Sequence, residues 1–279
     1  MKTSSEIKSI SRLVGEAKAV ELLGKAGFDA WDFSLTGIKY KPENEGHPLR
    51  STEYLKFARE LKKIGDAYGM VCNQSHAPFP AWRIPIDDLK RAIECTAEVG
   101  GKICVIHPDN DLNAAQNAEK YHTILPFAKD YGVKIATENM WNWDKEKDIS
   151  SFAACSTAAD FLAHVEAVND PYLVACVDLG HAEMRGSGDG AANMLRTLGK
   201  HVQALHIHDN DRHHDSHQIP FSMDIDFAPI ARALRDINYQ GYLTLEANAY
   251  IHAYSPETSL DGVKKLLESL KRLEAMIVD

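Results

Sequence analysis

Eight short apolar runs, each followed by a segment of helical length, recur along all 279 residues and restrict what this chain can fold into. They lie near Ile7 to Ile10, Ala30 to Ser34, Met70 to Ser75, Ile103 to Ile106, Lys134 to Thr137, Leu173 to Val177, Val202 to Ile207 and Tyr242 to Leu245. Most are rich in Val, Ile, Leu, Phe or Tyr, as strands covered on both faces are. The intervening patterns, Gly15 to Lys25, Ser51 to Tyr68, Pro85 to Val99, Ala114 to Tyr131, Thr157 to Val168, Gly190 to Leu198, Phe227 to Ile237 and Pro256 to Met276, predict helices. Gly27, Gly69, Gly100 and Gly132 follow the first four, where a helix commonly ends; Pro126 predicts a kink in the fourth. Eight such units close a (β/α)8 TIM barrel of the α/β class. An open doubly wound sheet would usually need fewer and often a glycine-rich phosphate loop, and no GxGxxG or GxxxxGK[ST] occurs. No linker-like stretch interrupts the pattern, so one TIM-barrel domain spanning residues 1–279 is expected.

The formal charge of -9 argues against a general polyanion binder, because nucleic-acid affinity rests on Lys and Arg neutralising phosphates. Lys39, Lys41 and Arg50 stand near the second loop, but Glu43 and Glu45 dilute them, and no Arg/Lys cluster marks a phosphate clamp. The start has no apolar secretion-signal core, and no run of about 18 apolar residues occurs. A soluble, cytoplasmic protein without a membrane partner is expected. The five cysteines form no CxxC pair and are read as reduced structural thiols.

Metal-capable side chains stand at or beside the strand ends, the edge from which TIM barrels build active sites. The third strand leads into His76 and the fourth into His107, with prolines close behind that favour an extended exit. The fifth ends in Glu138, a carboxylate that needs a cation or hydrogen bonds if buried. The sixth ends Asp178-Leu179-Gly180-His181, a spacing that lets two ligands approach one site. On the seventh, alternation sends His206 and His208 to one side, where one can ligate and the other line the pocket. Asp215 and His217 form a further pair, His213 and His214 read as solvated loop residues, and the eighth strand ends in Glu246. Phe79, Trp82, Trp141, Trp143 and Phe221 are available as an apolar wall.

With these residues in place the chain resembles the xylose-isomerase-like barrel superfamily, on Glu138, DLGH at 178–181, HIHDNDR at 206–212 and Glu246. Its tagatose 3-epimerase-like branch implies one divalent ion held by Glu138, Asp178, His206 and Glu246. It also implies substrate contacts from His181 and Arg212, with Asp144 and Trp141 as further candidates. The endonuclease IV-like branch implies up to three zinc ions on His76, His107, Glu138, Asp178, His181, His206, Asp215, His217 and Glu246.

The expected activity is that of a metal-dependent sugar or sugar phosphate isomerase or epimerase. A cation polarises a chelated carbonyl, and Glu138 and Glu246 move the proton on the adjacent carbon through an enediolate. Mixed imidazole and carboxylate donors suit Mn or Zn, then Co, Fe or Mg. The partner is a small-molecule sugar, with a homo-oligomer open. Alternatives are a multi-zinc phosphodiesterase, a dehydratase or carbon-glycoside lyase on the same site, and a noncatalytic sugar-binding barrel.

Overall fold

In the computed structural model, which describes residues 1–278, the first strand is β1, Lys2–Glu6, and not Ile7 to Ile10. The isoleucines instead lead into helix α1, Lys8–Val14, and bury themselves in the core from there. The strand KTSSE escapes an apolar pattern because its buried face is polar. Thr3, Ser4, Ser5 and Glu6 are all buried. Their hydroxyls are satisfied within the protein, as buried polar groups must be: Ser4 Oγ donates to Asn73 Oδ1 at 2.6 Å, and Thr3 Oγ1 to Asp29 Oδ2 at 2.9 Å.

The order continues α2 (Glu16–Ala26), β2 (Ala30–Ser34), α3 (Tyr54–Ala67), β3 (Val71–His76), α4 (Ile86–Glu98), β4 (Ile103–Val105), α5 (Ala114–Asp130) and β5 (Lys134–Glu138). A hairpin, β6 (Asn142–Asp144) and β7 (Ile149–Ser151), follows. Then come α6 (Ala158–Val168), β8 (Leu173–Asp178), α7 (Leu179–Glu183), α8 (Ala191–Leu198), β9 (Val202–His206), α9 (Phe227–Asp236), β10 (Tyr242–Leu245), α10 (Asn248–Ile251) and α11 (Ser259–Val278). Apart from the hairpin, the strands form one parallel sheet in the order β10-β1-β2-β3-β4-β5-β8-β9. A bridge between Ile207 and Leu245 joins its ends: Ile207 N donates to Thr244 O and Glu246 N to Ile207 O, both at 2.9 Å. The result is a (β/α)8 barrel.

Local chemistry fixes the helix ends that hold the loops. Gly27 takes φ of 98° after α2, a conformation that costs glycine little. Asn113 and Gln116 form a reciprocal capping box at α5. Pro126 does not interrupt α5, which runs unbroken to Asp130; it lies on the exposed face, where water can serve the carbonyl its ring leaves without a donor.

Most apolar side chains pack between strands and helices. Inside the barrel the halves differ. Val105, Ala136, Val174, Cys176 and Ala204 form a small apolar plug on β4, β5, β8 and β9. Across from it, Gln74 donates to Asp32 at 2.9 Å and Asn73 to Thr244 at 3.0 Å. All five cysteines are buried and free.

Candidate functional site

The strand-end residues converge at the C-terminal mouth in four groups, within each of which the donor atoms lie within 4.8 Å of one another; three share Glu138, and one of these sets the Cys176 thiol beside Glu138 and His206. Glu138, Asp178, His206 and Glu246 form the central one, from β5, the end of β8, the end of β9 and the residue after β10. His76, His107 and Glu138 form a second, with His107 Nε2 3.1 Å from Glu138 Oε2. His181, His208, Asp215 and His217 form a third. All nine residues implicated by the resemblance are therefore assembled, and His208, expected to ligate or to line the pocket, joins the third group.

The imidazoles point one nitrogen inward and anchor the other. His76 Nδ1 faces Ala77 O at 2.8 Å, His181 Nδ1 faces Asn139 O at 2.9 Å and His217 Nδ1 faces Glu246 O at 2.6 Å. A backbone carbonyl can only accept, so each Nδ1 carries the proton and donates. In the neutral ring Nε2 is left with a lone pair directed into the cluster. His206 is turned the other way, with Nδ1 3.0 Å from Glu138 Oε1 and Nε2 3.4 Å from Asp32 Oδ2. Asp32 sits inside β2 and is fully buried. Backbone groups hold the carboxylates as well: Asp178 Oδ1 accepts from His181 N at 2.7 Å.

Four of the atoms turned into these groups, Glu138 Oε2, Asp178 Oδ2, His208 Nε2 and Asp215 Oδ1, are buried without a hydrogen-bond partner. Orphaned donors and acceptors are costly. Together with a mixed imidazole and carboxylate set, they fit a divalent cation.

The charges are mutually dependent. Burial works against ionising Glu138, but His206 and His107 hold its carboxyl well below the usual range. Asp178 and Glu246 are lowered against the same penalty, by His181 and His208 and by His206 and His217 respectively. His206 is held well above its ordinary value, burial opposing and Cys176, Glu138 and Glu246 prevailing. His217 is raised to about 9 by Asp215 despite burial, whereas burial and then His107 drive His76 down to about 4.

Around this centre, Phe79 packs on His76 and His107 with ring centroids 5.4 and 5.2 Å away. Trp141 stands 6.4 Å from His181 and 6.2 Å from Trp143. Arg212 lies at the rim with φ of 60° and its guanidinium 3.4 Å from Glu183. Asp144 turns back into its own hairpin, accepting from Lys147 N at 3.1 Å. His214 is exposed and stacked on Trp143. Two expected wall residues go elsewhere: Phe221 packs on Phe227 under the Arg272 guanidinium, and Trp82 is an exposed platform for Arg83.

Two buried carboxylates beside His206 and Glu246 were not among the sequence candidates. Glu6 ends β1 and accepts hydrogen bonds from Ser9, and Asp32 backs His206. Both line the chamber that also contains His76, His206 and Glu246. That chamber has about 10 Å³ of free volume, the scale of one water or ion. Asp32 could have been found as a lone carboxylate in the otherwise apolar run Ala30-Trp31-Asp32-Phe33. Glu6 was hidden by the late placement of β1.

A family model described as xylose isomerase-like TIM barrel matches residues 20–274. Over 248 residues the chain is 26% identical to the uncharacterized protein MJ1311 of Methanocaldococcus jannaschii, covering 82% of this chain and 78% of that one. Over 225 residues it is 23% identical to fructoselysine 3-epimerase of Shigella flexneri, covering 78% and 70%. Among solved structures, a D-tagatose 3-epimerase-like protein superposes with a TM-score of 0.75 at 22% identity, over 99% of this chain and 98% of the other. An L-ribulose 3-epimerase does so with 0.72 at 17%, over 99% and 95%. At these identities the structural likeness is one of fold.

Proposed function

This chain belongs to the xylose isomerase-like TIM barrel family, and from that footing we propose that it is a divalent-metal-dependent sugar isomerase or epimerase. The observation that carries the reading is the convergence of Glu138, Asp178, His206 and Glu246 on one ion-sized place, with carboxylates arriving from separate strands. The activities of similar proteins, 3-epimerases of fructoselysine and L-ribulose, support the same reaction class.

The four residues would hold Mn or Zn, with Co, Fe or Mg as alternatives. A divalent ion there supplies Lewis acidity and a template for a ketose carbonyl and its neighbouring hydroxyl. The chain's own groups handle the proton. Glu246, whose side chain keeps 14% of its exposure against 1% for Glu138, is the carboxylate a substrate reaches first. We assign it the abstraction of the proton beside the carbonyl, with Glu138 returning a proton from the other side. Return to the same carbon inverts it, and return to its neighbour exchanges aldose and ketose. Both carboxyls lie below the ordinary range and rest ionised, so Glu246 is free to accept the C–H proton, and Glu138 must first take up a proton from solvent or a substrate hydroxyl before it delivers one to the opposite face. His181 and Trp141 are assigned to the sugar's flank and Arg212 to its rim.

The test is exchange in D2O with the Mn- or Zn-loaded protein and a panel of ketoses and ketose phosphates, followed by NMR. Deuterium entering the carbon beside the carbonyl, with net conversion, is the expected result. Metal-loaded protein that exchanges no proton in any of them overturns the reading, and loss of water from the sugar would convert it to a dehydratase. The outer groups on His76 and His107 and on His181, Asp215 and His217 favour a second reading, multi-ion phosphodiester hydrolysis. Three bound ions together with nicking of abasic duplex DNA would select it.

A further inference from the structure

Beside the ion-sized chamber opens a cleft of about 590 Å³, large enough for a small phosphorylated ligand, and the two share Lys8, Ser34, Thr36 and Phe79 as walls. Four cations line the cleft: Lys8 and Arg12 from α1, and Lys39 and Lys41 from the loop after β2. Its two carboxylates are already engaged, Glu16 with His47 at 2.9 Å and Glu43 with Lys41 at 3.2 Å. Among the described residues, Lys8, Arg12 and Lys39 have no carboxylate within 4.0 Å. Lys39 donates only to the carbonyl of Phe79, at 2.9 Å, and the Lys8 ammonium lies 5.0 Å over the Phe79 ring.

In a chain of formal charge -9, a cleft lined by four cations and two carboxylates, with three of the cations outside any ion pair, departs from the prevailing sign. A concave cationic wall concentrates anions. Lys39 registers the crowding, since burial and then the neighbouring Lys41 and Arg83 lower its pKa against the opposing pull of Glu43. The hydroxyls of Ser34 and Thr36, 3.1 Å apart, add neutral donors where cleft and chamber meet.

We infer that this cleft binds the phosphate of a phosphorylated ketose whose carbonyl end reaches the mouth of the chamber. The inference rests on the sugar isomerase or epimerase reading and narrows its substrate class. Phosphate is favoured over carboxylate because three separate cationic groups match a dianion with three free oxygens, whereas a carboxylate is typically met by one forked guanidinium.

The experiment titrates the full-length protein with inorganic phosphate by calorimetry, for wild type, Arg12→Gln and Lys39→Gln. Millimolar binding or better is expected, weakened about tenfold by each substitution. Circular dichroism checks that both variants fold, and Lys39→Arg should retain the affinity. In parallel, kcat/KM is compared for D-fructose against D-fructose 6-phosphate and for D-ribulose against D-ribulose 5-phosphate. The phosphorylated partner is expected to be favoured by at least about tenfold, with the variants erasing that preference through KM while kcat stays. Absence of phosphate binding, or equal loss on both members of a pair, overturns the cleft assignment while ketose turnover keeps the sugar reading standing. Phosphate binding without proton exchange on any ketose does the reverse. Stronger binding of a sugar uronate than of a ketose phosphate, or of abasic duplex through Arg12 and Lys39, also overturns the assignment.

Discussion

On the β5, β8, β9 and β10 side of the barrel mouth, each buried charge leans on an opposite one. Glu138 lies between His107 and His206, and Asp215 between His181 and His217. On the β1 and β2 side, a few residues away, Lys8, Arg12 and Lys39 have no carboxylate within 4.0 Å, and Glu6 and Glu43 act on them only at longer range. Solvation accounts for the contrast. Charges removed from water are expensive unless neighbours or an ion compensate them, so the chamber must be internally matched. Half-exposed cations keep much of their hydration and can wait for a ligand. The two regions therefore divide the proposed labour: proton transfer in the first, substrate selection in the second.

The sharpest way to break this division is to neutralise each proton-transfer carboxylate. Glu246→Gln and Glu138→Gln are each expected to cost about 10²- to 10⁴-fold in turnover. They should differ in metal content, because Glu138 belongs to three of the four groups and Glu246 to one. Elemental analysis alongside D2O exchange separates the effects. Wild-type turnover in either variant would remove that residue from the proton-transfer role.

Glu6 stands on the border and gives a smaller effect with a defined sign. Burial pushes its carboxyl up to about 7, Ser9 holding it back and Glu246 adding to the rise. The folded state thus binds a proton that the unfolded chain releases near pH 4.5. The stability this provides is fully present below pH 4.5 and is lost as pH climbs through 7, by up to roughly 3 kcal/mol. Glu6→Gln should therefore gain in denaturation midpoint relative to wild type at pH 8 and show little gain at pH 5. An equal shift at both pH values would mean that Glu6 does not titrate in this range.

The same division explains what the sequence revealed. The barrel was legible because covered parallel strands must be apolar and their helices end at glycines, so Lys134–Glu138 and Leu173–Asp178 announce themselves. The candidate ligands were legible because imidazoles and carboxylates at strand ends have few other uses. β1 was misread because its buried residues hydrogen-bond to polar partners, and that shift concealed Glu6. The cationic cleft was missed because Lys8 and Arg12 belong to α1 while Lys39 and Lys41 follow β2. Their neighbours Glu43 and Glu45 suggested dilution, but Glu43 is engaged by Lys41. Periodicity reports burial, whereas proximity across two loops exists only in three dimensions.

Salt gives the gentlest discrimination between the two regions. The Debye length shrinks from about 10 Å at 0.1 M to about 3 Å at 1 M, which screens exposed charges and leaves buried ones largely unaffected. Between 0.1 and 0.5 M sodium chloride, a roughly two- to fivefold fall is expected in the affinity of the cleft for inorganic phosphate. Metal retention by Glu138, Asp178, His206 and Glu246, measured by equilibrium dialysis, should change less than about twofold, because three of the four ligands are buried and Glu246 is mostly so. Equal salt sensitivity in both would show that the chamber is as wet as the cleft, and the separation of matched from unmatched charge would then lose its physical basis.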